Sequence, residues 1–133
     1  MTYEVEHTEA EWRALLSPDA FRILRQAGTE PAFGNELWDN HEDGVYRCAG
    51  CGTALFEAAD KYDSGTGWPS FVRPVAPGVV ETRVDAAHGM VRTEVRCAEC
   101  GGHLGHIFTD GPQPTGERYC MNSGALTFDA REA

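Results

Sequence analysis

The spacing of apolar residues changes character along the chain. Its first quarter follows a helical period, its second half alternates with period two, and the stretch between them follows neither. Thr8-Glu-Ala-Glu11 has the form of a capping box, in which hydroxyl and carboxylate satisfy free amides of a first helical turn. The helix it opens is expected to bury Trp12, Leu15 and Leu16. Ser17 and Pro18 then restart a helix, with serine as N-cap and proline at the first helical position. Phe21, Ile23, Leu24 and Ala27 supply its apolar side, and Gly28 is its natural stop. From Thr29 to Asn40, Pro31 and Gly34 punctuate a stretch carrying Phe33 and Trp38, the pattern of a loop strapped over a core. Gly44 to Gly52 reads as a short strand running into Cys48-Ala-Gly-Cys51, after which Leu55 and Phe56 resume the core.

Beyond Gly78 the alternation is plain. Val79, Glu81 and Arg83 alternate with Val80, Thr82 and Val84, and Val91, Thr93, Val95 and Cys97 alternate with Arg92, Glu94 and Arg96. Two such runs joined by residues 85–89 predict a half-buried antiparallel hairpin. From His103 to Phe128, glycine-rich turns separate short β-type runs. Helices first and antiparallel strands afterwards predict an α+β fold, mainly β, in one domain over residues 1–133.

Composition narrows what such a fold can serve. The 133 residues, 41% of them hydrophobic, suffice for a core that a metal staple would still help. The formal charge of −10 repels phosphate backbones and argues against nucleic acid as a partner. No apolar run approaches the roughly 18 residues of a membrane span. The polar, acidic start lacks the basic and apolar parts of a signal peptide, so the expectation is a cytoplasmic monomer without membrane contact.

Four of the five cysteines form Cys48/Cys51 and Cys97/Cys100, two Cys-x-x-Cys turns that together suit one tetrahedral Zn²⁺. Iron or two redox dithiols are the alternatives. Four protein sulfurs leave no open coordination position, so the ion would be structural and a zinc hydrolase is disfavoured. Cys120 remains, as a nucleophile or as a buried structural thiol. On a strand, Arg118 and Asn122 would share its face, and the arginine charge would favour the thiolate. His103 and His106 are surface residues or proton shuttles beside that thiol, whereas His7, His41 and His88 read as surface residues. Trp68, fixed by Pro69 on a non-helical backbone, is a core anchor or a pocket wall.

Five segments together resemble a known family: Gly28-Thr-Glu-Pro31, Gly44 to Cys51, Gly65-Thr-Gly-Trp-Pro-Ser-Phe71, Cys97 to His106, and Arg118-Tyr-Cys-Met-Asn-Ser123. In this order they are similar to the methionine-R-sulfoxide reductases, enzymes that reduce one epimer of methionine sulfoxide. The resemblance implies two antiparallel sheets with N-terminal helices and a structural zinc on Cys48, Cys51, Cys97 and Cys100. It makes Cys120 the nucleophile, with Trp68 and Phe108 as substrate walls. His103, His106 and Asn122 would orient and protonate the sulfoxide oxygen, and Arg118 would support the thiolate. Substrates would be oxidised proteins or peptides, and the reductant thioredoxin, or else glutathione or glutaredoxin. One departure matters. Where many members carry a resolving cysteine this chain has Thr66, which predicts a one-cysteine cycle through a sulfenic acid on Cys120. A non-catalytic, zinc-stapled ligand-binding module is the competing reading, and the joint presence of Arg118, Cys120, Asn122 and the two histidines counts against it.

Overall fold

The helices begin where their caps dictate. The Thr8 hydroxyl accepts from the Glu11 amide at 3.1 Å and the Glu11 carboxylate accepts from the Thr8 amide at 2.8 Å, opening α1 (Glu9–Leu15). The structure is a computed structural model that describes residues 3, 5–86, 89, 91–113 and 115–130. In α1 only Trp12 is buried; Leu16 is partly covered, and Leu15, expected inside, is 62% exposed. A two-turn helix meets the body along one narrow stripe, and Leu15 lies beside that stripe rather than on it.

Ser17 caps α2 (Pro18–Gln26) through the Ala20 amide at 3.1 Å. Ala20, Phe21, Ile23 and Leu24 form its buried side, while Ala27, expected there, is exposed. Ala27 rather than Gly28 also takes the left-handed conformation that ends the helix (φ 53°). Gly28 is needed for a different reason. Its amide returns to the Arg22 carbonyl at 2.9 Å, and a Cβ there would stand 2.8 Å from that oxygen.

Among the described residues nine strands follow: β1 (Gly44–Cys48), β2 (Ala54–Glu57), β3 (Lys61–Tyr62), β4 (Ser70–Phe71), β5 (Val80–Asp85), β6 (Arg92–Cys97), β7 (His103–Phe108), β8 (Arg118–Met121) and β9 (Leu126–Ala130). They pair antiparallel in two sheets, ordered β2-β1-β9 and β3-β4-β8-β7-β6-β5. The α+β, mainly β expectation therefore holds. The core lies between the sheets, where Tyr46, Leu55, Phe56, Phe71, Val95 and Leu104 are each 0% exposed. Phe56 stacks on Phe71 at 4.4 Å and Tyr46 meets Phe71 edge-on at 5.0 Å.

The hairpin β5–β6 has the expected pairing but only half of the expected burial. Val95 and Cys97 on β6 are buried, whereas β5 is the sheet's edge and Val84 is 78% exposed. Val80 at the start of β5 still packs against the core, but Thr82, Arg83 and Val84 are all exposed, so alternation there does not separate an inner from an outer face. His7 and His41 lie at the surface as expected; His88 lies outside the described residues. None of the described helices is long and apolar enough to cross a membrane.

Candidate active site and metal centre

Two hairpin turns from different sheets meet at the four cysteines. Cys48 and Cys51 belong to the β1–β2 turn, and Cys97 and Cys100 to the β6–β7 turn. Both turns close alike: the Gly52 amide bonds the Cys48 carbonyl and the Gly101 amide the Cys97 carbonyl, each at 2.8 Å, with both glycines left-handed. All four thiols are free, their Sγ atoms lie within 4.8 Å of one another, and the shortest pairs are 3.6 and 3.7 Å. Sulfurs 2.3 Å from a tetrahedral Zn²⁺ stand about 3.8 Å apart, so the donor set fits that ion. Sulfur–sulfur hydrogen bonding, first with Cys100, pushes Cys48 and Cys97 up and Cys51 down, and Cys48 pulls Cys100 down. The centre joins the two sheets. α2 closes over it: Arg25 donates to the Cys100 carbonyl at 2.9 Å and a Cβ at Gly102 would meet Leu24 at 2.8 Å.

Away from the metal centre, the register of the six-stranded sheet lines up a polar row. Tyr62 pairs Ser70, Ser70 pairs Cys120, Cys120 pairs His106, His106 pairs Glu94, and Glu94 pairs Arg83. Residues directly opposite on antiparallel strands share a face. The row is therefore the sheet's outward face, back to back with Phe71, Tyr119, Met121 and Val95 on the core side.

A cavity of about 250 Å³ opens on this row, lined by Thr66, Trp68, His106, Phe108, Arg118, Cys120 and Asn122 among others. Of the residues singled out in the sequence, His103 alone does not reach it. His103 belongs to a neighbouring cavity of about 330 Å³ that shares Thr29, Arg92 and His106 with the first. Its Nδ1 bonds Glu94 Oε2 at 2.6 Å, Arg96 holds the other Glu94 oxygen at 2.9 Å, and its buried Nε2 has no partner among the described residues. Burial lowers the His103 pKa against the pull of Glu94, so the ring is neutral near pH 7. His106 Nε2 meets Asp85 at 3.0 Å, and since a carboxylate only accepts, that nitrogen carries the proton.

Burial pushes the Cys120 thiol above its ordinary pKa, and Arg118, Thr66 and Ser70 each draw it back. The arginine acts in the expected direction, but the net shift is upward. Arg118 itself is held in place by two bonds to Asp110, at 2.9 and 3.2 Å, and lies 4.3 Å over the Phe108 ring. Asn122 sits one residue beyond β8 and is 4% exposed, its amide spanning the Glu30 N–H and the Leu104 carbonyl, both at 3.2 Å. It braces the cavity wall, and of the two N–H groups on its side-chain amide one is spent on Leu104.

Glu30 was given no role in the sequence. Its carbonyl receives the Trp68 indole N–H at 3.0 Å, and its amide donates to Asn122. Its carboxylate accepts from the amides of Ser123 and, at 2.8 Å, Gly124, capping the 3-10 turn Ser123–Ala125. One residue thus fixes two walls. The available signal was an acidic residue directly before Pro31 with no basic neighbour in sequence. Glu94 was missed because period two puts it outside, and nothing local says that the end of α2 covers that face.

Residues 16–130 match the SelR domain family. A protein of Leptospira interrogans named peptide methionine sulfoxide reductase MsrB is 55% identical over 128 residues, covering 96% of this chain and 98% of that protein. One of the same name from Thiobacillus denitrificans is 54% identical over 132 residues, covering 99% and 100%. A third, from a Synechococcus strain, is 55% identical over 124 residues, covering 93% and 91%.

Proposed function

Because the chain belongs to the SelR family of B-type methionine sulfoxide reductases, we propose that it reduces the R epimer of peptide-bound methionine sulfoxide through the Cys120 thiolate. The observation that carries this is the cavity in which Cys120 faces Trp68, Phe108, Arg118 and His106. A sulfoxide has an electrophilic sulfur, a basic oxygen and apolar substituents. The cavity offers a thiol, an imidazole and two aromatic walls. The single domain of residues 1–133 would carry this cycle alone, in a reducing compartment such as the cytoplasm.

The proton count closes within the site. Cys120 and His106 are register partners, with Cβ atoms about 5 Å apart for such pairs. With Nε2–H held by Asp85, Nδ1 is the His106 nitrogen left to take the thiol proton. The thiolate attacks the substrate sulfur and forms an S–S bond while the imidazolium returns that proton to the oxygen; the hydroxyl then passes to the Cys120 sulfur as the S–S and substrate S–O bonds break. Two electrons pass from the cysteine sulfur to the substrate sulfur, giving a sulfenic acid and a methionine. An external thiol then attacks the sulfenic acid and expels water, and a second thiol releases the mixed disulfide. With Thr66 in place of a resolving cysteine and the other four thiols grouped as a metal set, no thiol of the chain competes for that step.

Turnover of the separated R and S epimers by wild type and Cys120→Ser tests the reading. Reduction of R alone, abolished in Cys120→Ser, is expected; equal rates for the two proteins, or reduction of S alone, overturn it. Dimedone should trap the sulfenic acid when reductant is withheld, and an intramolecular disulfide under those conditions would rule out the one-cysteine cycle.

A further inference from the structure

Thr66 stands between two glycines in left-handed conformation, Gly65 (φ 79°) and Gly67 (φ 86°). A Cβ at Gly67 would lie 2.6 Å from the Phe33 ring, so the loop can turn this tightly only with glycine there. The turn places Thr66 on the wall of the cavity that holds Cys120. Behind it runs a chain of hydroxyls. Thr66 Oγ1 meets Ser64 Oγ at 2.8 Å, and Ser64 Oγ meets Ser70 Oγ at 2.8 Å. Ser70 is 0% exposed and pairs directly with Cys120 across β4 and β8.

A hydroxyl donates once and accepts twice, and this restricts the chain to two arrangements. The Trp68 amide donates to Thr66 Oγ1 and the Thr66 amide to Ser64 Oγ, both at 3.4 Å, while the Trp68 carbonyl lies 3.2 Å from Ser70 Oγ. In one arrangement Thr66 donates to Ser64, Ser64 to Ser70 and Ser70 to the Trp68 carbonyl. Thr66 Oγ1 then has a lone pair left for an S–H donor. In the other, Ser70 donates to Ser64 and Ser64 to Thr66. Both lone pairs of Thr66 are then filled, and its proton must find an acceptor elsewhere. The sulfur beside it in the cavity is that acceptor. The first arrangement suits a thiol and the second a thiolate, and the change needs only three hydroxyl rotations.

We propose that Thr66 is a catalytic residue: its hydroxyl, at the end of the Ser70–Ser64 chain, hydrogen-bonds the sulfur of Cys120 and stabilises the thiolate that attacks substrate. The residue that removes a resolving thiol from this loop thereby supplies the nucleophile with a donor. The proposal rests on the reading of Cys120 as the nucleophile. It also accounts for the pull of Thr66 and Ser70 on that thiol against its burial.

The test is the pH dependence of Cys120 alkylation by iodoacetamide in the zinc-loaded protein, followed by peptide mass spectrometry. Thr66→Val keeps the side-chain shape and removes the donor. Its titration should lie about one unit above that of wild type, making alkylation near pH 7 about three- to fourfold slower, since the more basic thiolate recovers part of the loss in its fraction. Thr66→Ser should follow wild type. Ser64→Ala breaks the chain behind the cavity wall and should shift the titration the same way by less. A Thr66→Val or Ser64→Ala protein that titrates with wild type, or a Thr66→Ser protein as slow as the valine variant, overturns the proposal. Failure of the reductase reading would show separately, as undiminished turnover by Cys120→Ser.

Discussion

Replacing Glu30 by alanine should damage stability and substrate binding together, and the structure gives the size of the effect. The carboxylate is the acceptor for two amides, those of Ser123 and Gly124, and its residue is 9% exposed. Leaving a buried donor without its partner costs about 1–3 kcal/mol, so two amides set a range of about 2–6 kcal/mol. The range is cut from above because an open cavity of about 470 Å³ reaches Glu30, Ser123 and Gly124, and water entering it can satisfy part of the loss. Removing the carboxylate also relieves the cost of burying it, which holds the Glu30 pKa up despite its hydrogen bonds. A net loss of about 2–3 kcal/mol is expected in urea unfolding of the zinc-loaded protein. Glutamine keeps one acceptor and sets an amide donor against the second N–H, so Glu30→Gln should lose about half as much. Glu30→Ala should also raise KM more than it lowers kcat, since the Glu30 carbonyl that holds the Trp68 indole sits on the loosened segment. A loss below about 0.5 kcal/mol with an unchanged KM would refute the view that Glu30 braces both walls.

Zinc removal by chelation, or Cys51→Ser, should cost several kcal/mol because the four thiolates are the covalent staple between the sheets. Urea midpoints with and without added Zn²⁺ measure it, and an unchanged midpoint would contradict the structural role. His103 is held neutral by burial, so its folded pKa is depressed; its contribution to stability is full above the ordinary 6.5 and is lost as pH falls below it. Unfolding free energies at about pH 7.5 and 5.5 should therefore converge in His103→Gln relative to wild type, and parallel behaviour of the two proteins would count against this. Thr66→Cys should form a disulfide with Cys120 under substrate without reductant, since both side chains line one cavity, and mass spectrometry of the unreduced peptides reads it directly. Persistence of a dimedone-reactive sulfenic acid in that variant would mean the two side chains do not meet.

What the sequence disclosed divides along a physical line. Caps, knuckles and strand alternation are local: Thr8, Ser17 and the two Cys-x-x-Cys turns lie where their spacing put them. The partner of each outward residue is not local. Period two tells that Glu94 and Val95 point opposite ways, but not that the Glu94 side is covered by the end of α2 and shared with His103. The same limit misplaced Leu15, Ala27 and β5, where an apolar residue was present and no surface came to meet it. Strand alternation put Asn122 on the side of Cys120, and it does line the same cavity; what alternation does not tell is that β8 ends at Met121 and that the Asn122 amide is tied to Leu104 and Glu30.

A thiol pushed up by burial looks at first like a poor nucleophile, since little of it is ionised near pH 7. For this reaction the shift has a use. The intrinsic nucleophilicity of a thiolate rises with its pKa, so each thiolate that does form is the more reactive, which recovers about half of what the smaller ionised fraction loses. The proton must also end on the sulfoxide oxygen, and a thiol that still holds it when substrate arrives brings that proton into a closed cavity. His106, paired across the ladder with Cys120 and fixed by Asp85, is placed to move it, and the Thr66 hydroxyl to follow the charge. A protonated resting thiol is also poorly reactive toward peroxide, which attacks the thiolate, so burial protects the enzyme from the oxidants whose damage it repairs. The polar row across the six strands lets one residue be both buried and reactive.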